Sequence, residues 1–80
     1  MFEIKYSDHI KRRMVRRKIS RKQVEYTIES PDYVDFDQYG HERAHKRFGN
    51  RIIRVVYAET NSGICLITVM KLHPDDMEFV

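Results

Sequence analysis

The dipeptide Gly49-Asn50 lies between two segments, 42–48 and 51–59, that favour extended structure. A Gly-Asn pair in this setting is typical of a two-residue β-hairpin turn. Such a turn fixes the register of the two strands, so the face on which each side chain lies follows from the sequence. The chain is therefore predicted to contain an antiparallel strand pair whose two faces can be assigned residue by residue.

Two short helices are predicted before this hairpin. The first covers residues 9–18, where apolar side chains recur four positions apart. Ser20 followed by Gln23 has the spacing of a capping box, which starts a second helix. That helix ends before Pro31, because a proline disfavours helical geometry at the residue preceding it.

Further strands are predicted over residues 2–6, 33–39 and 64–72. The expected fold class is therefore α+β, with an N-terminal strand and two short helices packed on one face of a four-stranded, mainly antiparallel sheet. The 80 residues are expected to form a single domain, 1–80, because a chain this short cannot bury two cores.

Composition narrows the class of protein further. A single cysteine excludes an internal disulfide, so the chain is not a disulfide-stapled secreted domain. No apolar stretch approaches the ~20 residues of a membrane helix, and the first residues are too short and polar for a signal peptide. We therefore expect a cytoplasmic protein without a membrane partner.

The hairpin register predicts a basic face on the sheet. It places His45 opposite Arg54, and an extension across the next turn with Glu59 opposite Ile64 brings in the last strand. Six basic side chains are then predicted to converge from three adjacent strands: Arg43, His45, Arg47, Arg54, Lys71 and His73. A slip of one residue at the second turn would move the last two to the other face.

A second concentration of charge lies in the helices. Positions 11 to 22 carry eight Lys or Arg and no Asp or Glu. His9, Arg13 and Arg17 follow one another at four-residue spacing on one helical stripe, which could hold an RNA backbone. The alternative is an ordinary solvated helix face.

The order of these elements and one local pattern resemble a known family. The opening carries His9-x-x-x-Arg13-Met14-x-x-Arg17-x-Ile19-Ser20, followed by Val24 and Pro31-Asp32. In both respects the chain resembles the RelE/ParE-type toxin superfamily, the small toxins of toxin-antitoxin pairs, and is most similar to a short RelE-like branch of it.

This resemblance implies a concave sheet face that receives messenger RNA at the ribosome. Strand arginines in RelE-like ribonucleases stabilise the phosphate, and a His, Tyr or Glu near the last strand moves protons. Arg43, Arg47 and Arg54 match the arginine role by location, and His73 matches the late proton carrier. Several relatives carry a tyrosine after the last strand, and its absence here leaves the general acid open.

Metal-free RNA cleavage needs a base, an acid and a cation for the charge that grows on the phosphate. Imidazole can serve as base or acid near neutrality, and guanidinium suits phosphate. We therefore expect His45 and His73 to share the proton transfers, and Arg54 to stabilise the transition state. The phosphate-binding residues are predicted to be Arg43, Arg47, Lys71, Arg13 and Arg17.

The predicted function is thus the toxin of a toxin-antitoxin pair, a metal-independent endoribonuclease that acts on messenger RNA at the ribosome. Its expected partners are RNA, the ribosome and a cognate antitoxin, with no cofactor and no metal. Three alternatives remain open: a non-catalytic RNA- or protein-binding module, a ParE-like topoisomerase inhibitor, and a strand cluster that is only a solvated sheet face.

Overall fold

Two helices pack on one face of a five-stranded mixed sheet in a computed structural model, which describes residues 3–76 except for the side chain of Asp76. The elements are β1 (Ile4–Lys5), α1 (Asp8–Arg17), α2 (Arg21–Glu29), β2 (Tyr33–Phe36), β3 (Glu42–Phe48), β4 (Arg51–Thr60), β5 (Gly63–Leu72) and a 3₁₀ turn at Pro74–Asp76. The strand order is β1-β5-β4-β3-β2, with β1 parallel to β5 and the other neighbours antiparallel.

The predicted α+β class is confirmed, as is the placement of the helices after an N-terminal strand. The sheet has five strands rather than the predicted four, because β1 extends it alongside β5. β2 ends at Phe36 rather than at position 39. Phe2, the first residue of the predicted N-terminal strand, lies outside the described residues.

Local hydrogen bonds explain where the helices begin. The Ser7 side chain accepts from the backbone N–H of Ile10 at the start of α1. At the start of α2 the predicted capping box is confirmed, because Ser20 Oγ accepts from Gln23 N and Gln23 Oε1 accepts from Ser20 N. These bonds satisfy backbone donors that a helix end otherwise leaves unpaired.

The core lies between the helices and the sheet. Its buried members include Ile10, Met14, Val24, Ile28, Ala44, Ile53, Val55, Tyr57 and Val69. Burying each large aliphatic side chain stabilises the fold by about 1.5–3 kcal/mol. The helices α1 and α2 therefore cover one face of the sheet.

The register of the β3–β4 hairpin is as predicted. Arg43 opposes Val56, His45 opposes Arg54 and Arg47 opposes Ile52. Gly49 adopts a φ of 62°, the positive value that a two-residue hairpin turn of type II′ needs at its first position.

The β4–β5 pairing departs from the prediction halfway along. Glu59 opposes Ile64 as expected, but a β-bulge follows, with Tyr57 opposite Leu66 and Val56 opposite Thr68. Ile67 is the additional residue, and it shifts the remainder of β5 by one position. Side chains beyond the bulge therefore lie on the face opposite to the predicted one.

Neither helix among residues 3–76 has the length and apolar character needed to cross a lipid bilayer.

Candidate nucleic-acid interface

The side of the sheet opposite α1 and α2 is called here the open face. Its side chains come from four strands: Tyr33 and Asp35 on β2; Arg43, His45 and Arg47 on β3; Ile52, Arg54 and Val56 on β4; Thr68, Met70 and Leu72 on β5. Four of the predicted site residues, Arg43, His45, Arg47 and Arg54, thus share one face, as the hairpin register required.

The prediction that Lys71 belongs to this face is wrong. After the bulge, Lys71 opposes Ile53, whose side chain is fully buried under the helices. Lys71 Nζ donates to the backbone carbonyl of Lys18 at 2.8 Å. Since this carbonyl follows α1, the lysine stabilises the negative end of a helix instead of facing a phosphate.

His73 was also predicted to lie on the open face, and the one-residue shift at the bulge makes that placement wrong. Leu72 is the last residue of β5 and opposes Ile52, so it takes the open-face position. His73 follows the strand, and its Nδ1 accepts from the backbone N–H of Asp75 at 3.3 Å. Its imidazole therefore lies beyond the end of the strand ladder that holds His45.

Arg54 and His45 form the centre of the open face. Arg54 Nε donates to His45 Nε2 at 2.9 Å, so this ring nitrogen carries no proton. The proton of the neutral ring then lies on Nδ1, which is 3.3 Å from the backbone oxygen of Tyr33 and donates to it. Both ring nitrogens are engaged, and the tautomer is fixed by its two partners.

Burial and charge keep this imidazole neutral. His45 is only 2% exposed, and its loss of contact with water lowers its pKa below the usual 6.5. The nearby positive charge of Arg54 lowers the pKa further. The ring of Tyr33 lies 5.5 Å from that of His45 and contributes to the enclosure. A neutral histidine thus supports a charged arginine.

Arg43 has a different partner that the sequence analysis missed. Its guanidinium binds both carboxylate oxygens of Asp35, with Nε donating to Oδ1 at 2.8 Å and Nη2 donating to Oδ2. The hydrogen bond to Arg43 holds the pKa of Asp35 below its ordinary value. The sequence signal was available, because a hairpin with its turn at positions 37–41 places Asp35 opposite Arg43.

Arg47 lies at the end of the open face near the hairpin turn. Its Nε donates to the carbonyl of Gly49 at 2.9 Å, and its side chain is exposed. Beside it is a cavity of about 210 Å³, lined by Asp32, Tyr33, His45, Lys46, Arg47 and Ile52. The lining of this cavity therefore includes both the exposed Arg47 and the buried imidazole of His45.

The two arginines of α1 that were predicted to bind phosphate, Arg13 and Arg17, are hydrogen-bonded to other groups of the protein. Arg17 Nη1 donates to the backbone carbonyl of Val69 at 2.6 Å, which anchors α1 to β5. Arg13 Nε donates to Nε2 of His9 on the same helix. Two of the guanidiniums assigned to phosphate binding therefore have hydrogen-bond partners within the protein.

His41 belongs to the turn between β2 and β3. Its backbone N–H and its ring Nδ1 both contact the carboxylate of Asp37. Within residues 3–76, no three His, Cys, Asp or Glu side chains gather in a way that could hold a metal ion.

A helix-backed mixed sheet of five strands places the chain in the class of small α+β proteins, and the open face of this sheet carries three arginines. A family model described as "Domain of unknown function (DUF4258)" matches residues 6–71. This range contains both helices and the strands β2 to β5 except for Leu72, the last residue of β5. The chain belongs to this family. No curated protein and no solved structure matches the chain.

Proposed function

We propose that this protein is a RelE/ParE-type toxin that cleaves messenger RNA without a metal, at the ribosome and in the cytoplasm. The helix-backed sheet and its basic open face support the proposal. A cognate antitoxin is the expected protein partner. The observation that carries the proposal is the Arg54–His45 pair at the centre of the open face.

The value of this pair for phosphate chemistry lies in the neutral character of His45. Its imidazole accepts a hydrogen bond from Arg54 and positions the guanidinium without adding a negative charge of its own. A guanidinium placed beside the phosphate stabilises the charge that develops on the phosphate oxygens during cleavage. Arg47, at the rim, supplies a further contact for the RNA backbone.

The proposed reaction uses the 2′-hydroxyl of the RNA as nucleophile. Its oxygen attacks the adjacent phosphorus, the bond to the 5′-oxygen breaks, and the products carry a 2′,3′-cyclic phosphate and a 5′-hydroxyl. His45 Nε2 becomes the base that accepts the 2′-hydroxyl proton once Arg54 turns from the imidazole to the phosphate. Water protonates the leaving 5′-oxygen, since His73 lies beyond the end of the ladder.

Mapping of RNA ends on translating ribosomes tests this proposal. Wild-type protein is expected to create new ends, and Arg54→Ala to remove them. Arg51→Ala is the matched control, because Arg51 is an exposed arginine of the same hairpin that binds only the carbonyl of Asn50 among the described residues. Equal cutting by the two variants would refute the role of Arg54.

A second candidate function is a non-catalytic RNA-binding module with the same fold. The engagement of both ring nitrogens of His45 favours it, because a base must release one of them to act. The same experiment separates the two functions. Retention of transcripts on the wild-type protein without new RNA ends, together with loss of retention in Arg54→Ala, would establish the binding module.

A further inference from the structure

The outer face of α1 carries cations that the protein does not use internally. Lys11, Arg12 and Arg16 are all exposed, and their side chains have no hydrogen bond or ion pair with any part of the chain that the structure describes. This contrasts with Arg13 and Arg17 on the same helix, whose guanidiniums donate to His9 and to the carbonyl of Val69. The three exposed cations are called the helix patch.

Helical geometry places the helix patch away from the core. At 100° per residue, Arg12 and Arg16 lie on the side opposite buried Ile10 and Met14, and Lys11 lies on the adjoining flank. Arg12 and Arg16, four positions apart, are neighbours on the helix surface, and their like charges repel each other in the absence of an anion. Asp8 is the only carboxylate on α1, so the helix itself leaves most of this charge uncompensated.

The helix patch and the open face lie on opposite sides of the sheet. α1 packs against β5 on the covered face, and the shortest extent of the molecule is 22 Å. An RNA strand lying on the open face therefore cannot contact the helix patch unless it wraps around the molecule. The helix patch and the open face therefore contact either separate segments of one ligand or separate ligands.

The side chains of α1 restrict what the helix patch can bind. Its sequence, DHIKRRMVRR, contains no Phe, Tyr or Trp on which an unpaired base could stack. Val15, which is 80% exposed, is the only apolar residue on the outer face, too little for an apolar peptide groove or a lipid surface. Phosphate contact alone remains, and the backbone of a duplex displays phosphates without requiring base stacking.

We propose that the helix patch is a second RNA-binding surface, which holds the phosphate backbone of duplex RNA independently of the open face. Recognition there is independent of base sequence, because guanidinium and ammonium groups contact only phosphates. The open face, where the ring of Tyr33 lies beside that of His45, takes the single strand. The protein would thus hold a duplex on one side while the open face contacts an unpaired segment on the other.

Salt dependence measures this contact directly. Each phosphate neutralised by a lysine or arginine on a duplex contributes about 0.9 to the slope of log affinity against log salt. The variant Arg12→Gln/Arg16→Gln should therefore bind a 20-base-pair RNA duplex with a slope smaller by about 2 than wild type. Fluorescence anisotropy at four salt concentrations provides the measurement.

Lys5→Gln/Arg51→Gln is the matched control, because it removes two exposed positive charges that lie outside the helix patch. It should retain most of the wild-type slope. Circular dichroism of each variant checks folding, which the exposed positions are not expected to disturb. Equal slopes for the two double variants would overturn the proposal, since the effect would then follow net charge alone.

Two further measurements separate this proposal from the proposed function. Arg54→Ala should abolish RNA cleavage and leave duplex binding unchanged, whereas Arg12→Gln/Arg16→Gln should weaken duplex binding whether or not the protein is a nuclease. Titration with poly-glutamate tests an acidic protein partner. If the helix-patch variant lost affinity for poly-glutamate and kept it for the duplex, an acidic polypeptide would replace RNA as the ligand, and the proposal would fail.

Discussion

Arg43 and Arg54 lie on adjacent strands of the same open face, yet their partners differ in charge. Arg43 forms a bidentate ion pair with Asp35 on the edge strand β2. Arg54 donates to the neutral imidazole of His45 at the centre of the sheet. The first pair joins opposite charges, whereas in the second pair the partner of the arginine is neutral.

This difference shows that a count of arginines on a surface does not measure its attraction for an anion. The carboxylate raises the pKa of Arg43 and fixes its guanidinium as a tie between β2 and β3. Arg54 is instead positioned by a neutral imidazole, which adds no negative charge of its own. The central pair is therefore the functional candidate, and the edge pair is primarily structural.

The largest expected contrast between the pairs is in RNA cleavage. Removing a charge-stabilising donor typically lowers a rate by about 10²–10³-fold, and we expect a loss of this size for Arg54→Ala. Arg43→Ala/Asp35→Ala should lower the rate by less than about tenfold, because it removes a pair whose charges cancel. Rates of cleavage on translating ribosomes provide the measurement. Comparable losses in both variants would contradict the distinction between the pairs.

The same comparison predicts a difference in the free energy of unfolding when one partner is removed from each pair. His45 is 2% exposed, so His45→Ala opens a buried cavity and should lower the free energy of unfolding by about 2–4 kcal/mol. Asp35→Ala affects a partly exposed pair at the edge and should cost about 1 kcal/mol. Urea unfolding of both variants measures the two values, and a larger cost for Asp35→Ala would reverse the assignment of the buried pair.

The two hairpins show how far this arrangement could be predicted from sequence. The Gly49-Asn50 turn fixed the β3–β4 register, so the positions of Arg43, His45, Arg47 and Arg54 followed by alternation. The β4–β5 turn was also placed correctly, with Glu59 opposite Ile64. Ile67 then inserts a bulge in a strand where apolar residues occupy both faces, so the sequence offers no alternation to reveal it.

The partners of the site residues were harder to predict than their positions. The alternation of side chains along the strands placed Arg54 and His45 on the same face. It could not show that the imidazole is buried and accepts a hydrogen bond from the guanidinium. Arg17 was assigned to phosphate because it lies on a basic helix. It donates instead to the carbonyl of Val69, a contact that depends on how α1 packs on β5 and not on its sequence.

The pH dependence of stability also distinguishes the Arg54–His45 pair from the Arg43–Asp35 pair, and this effect is expected to be smaller than the changes in cleavage rate and in the free energy of unfolding. The pKa of His45 is lowered from 6.5, so the unfolded chain binds more protons below that pH and stability falls as the pH drops from about 6.5. The pKa of Asp35 is lowered from 3.8, so the stability it provides is present above that pH and is lost only as the pH falls further. The two losses occupy separate ranges.

Urea unfolding at pH 7.5, 6.0 and 5.0 checks this separation. His45→Gln should lose less stability than wild type across this range, because glutamine cannot become protonated. Asp35→Asn should lose as much stability as wild type, since Asp35 stays ionised throughout the range. A flattened profile in Asp35→Asn and an unchanged profile in His45→Gln would assign the titration to the wrong pair.

The smallest expected effect comes from converting the edge pair into a copy of the central one. Asp35→Asn replaces the carboxylate by a neutral hydrogen-bond acceptor, so Arg43 keeps a partner and regains its net charge on the open face. One added phosphate contact on single-stranded RNA should steepen the slope of log affinity against log salt by about 0.7. Glu29→Gln is the matched control, because it removes one negative charge at an exposed position of α2. If both variants steepened the slope equally, the gain would reflect net charge, and the neutral partner of Arg54 would lose its significance. A gain confined to Asp35→Asn would show that the charge of the partner decides whether an open-face arginine binds RNA.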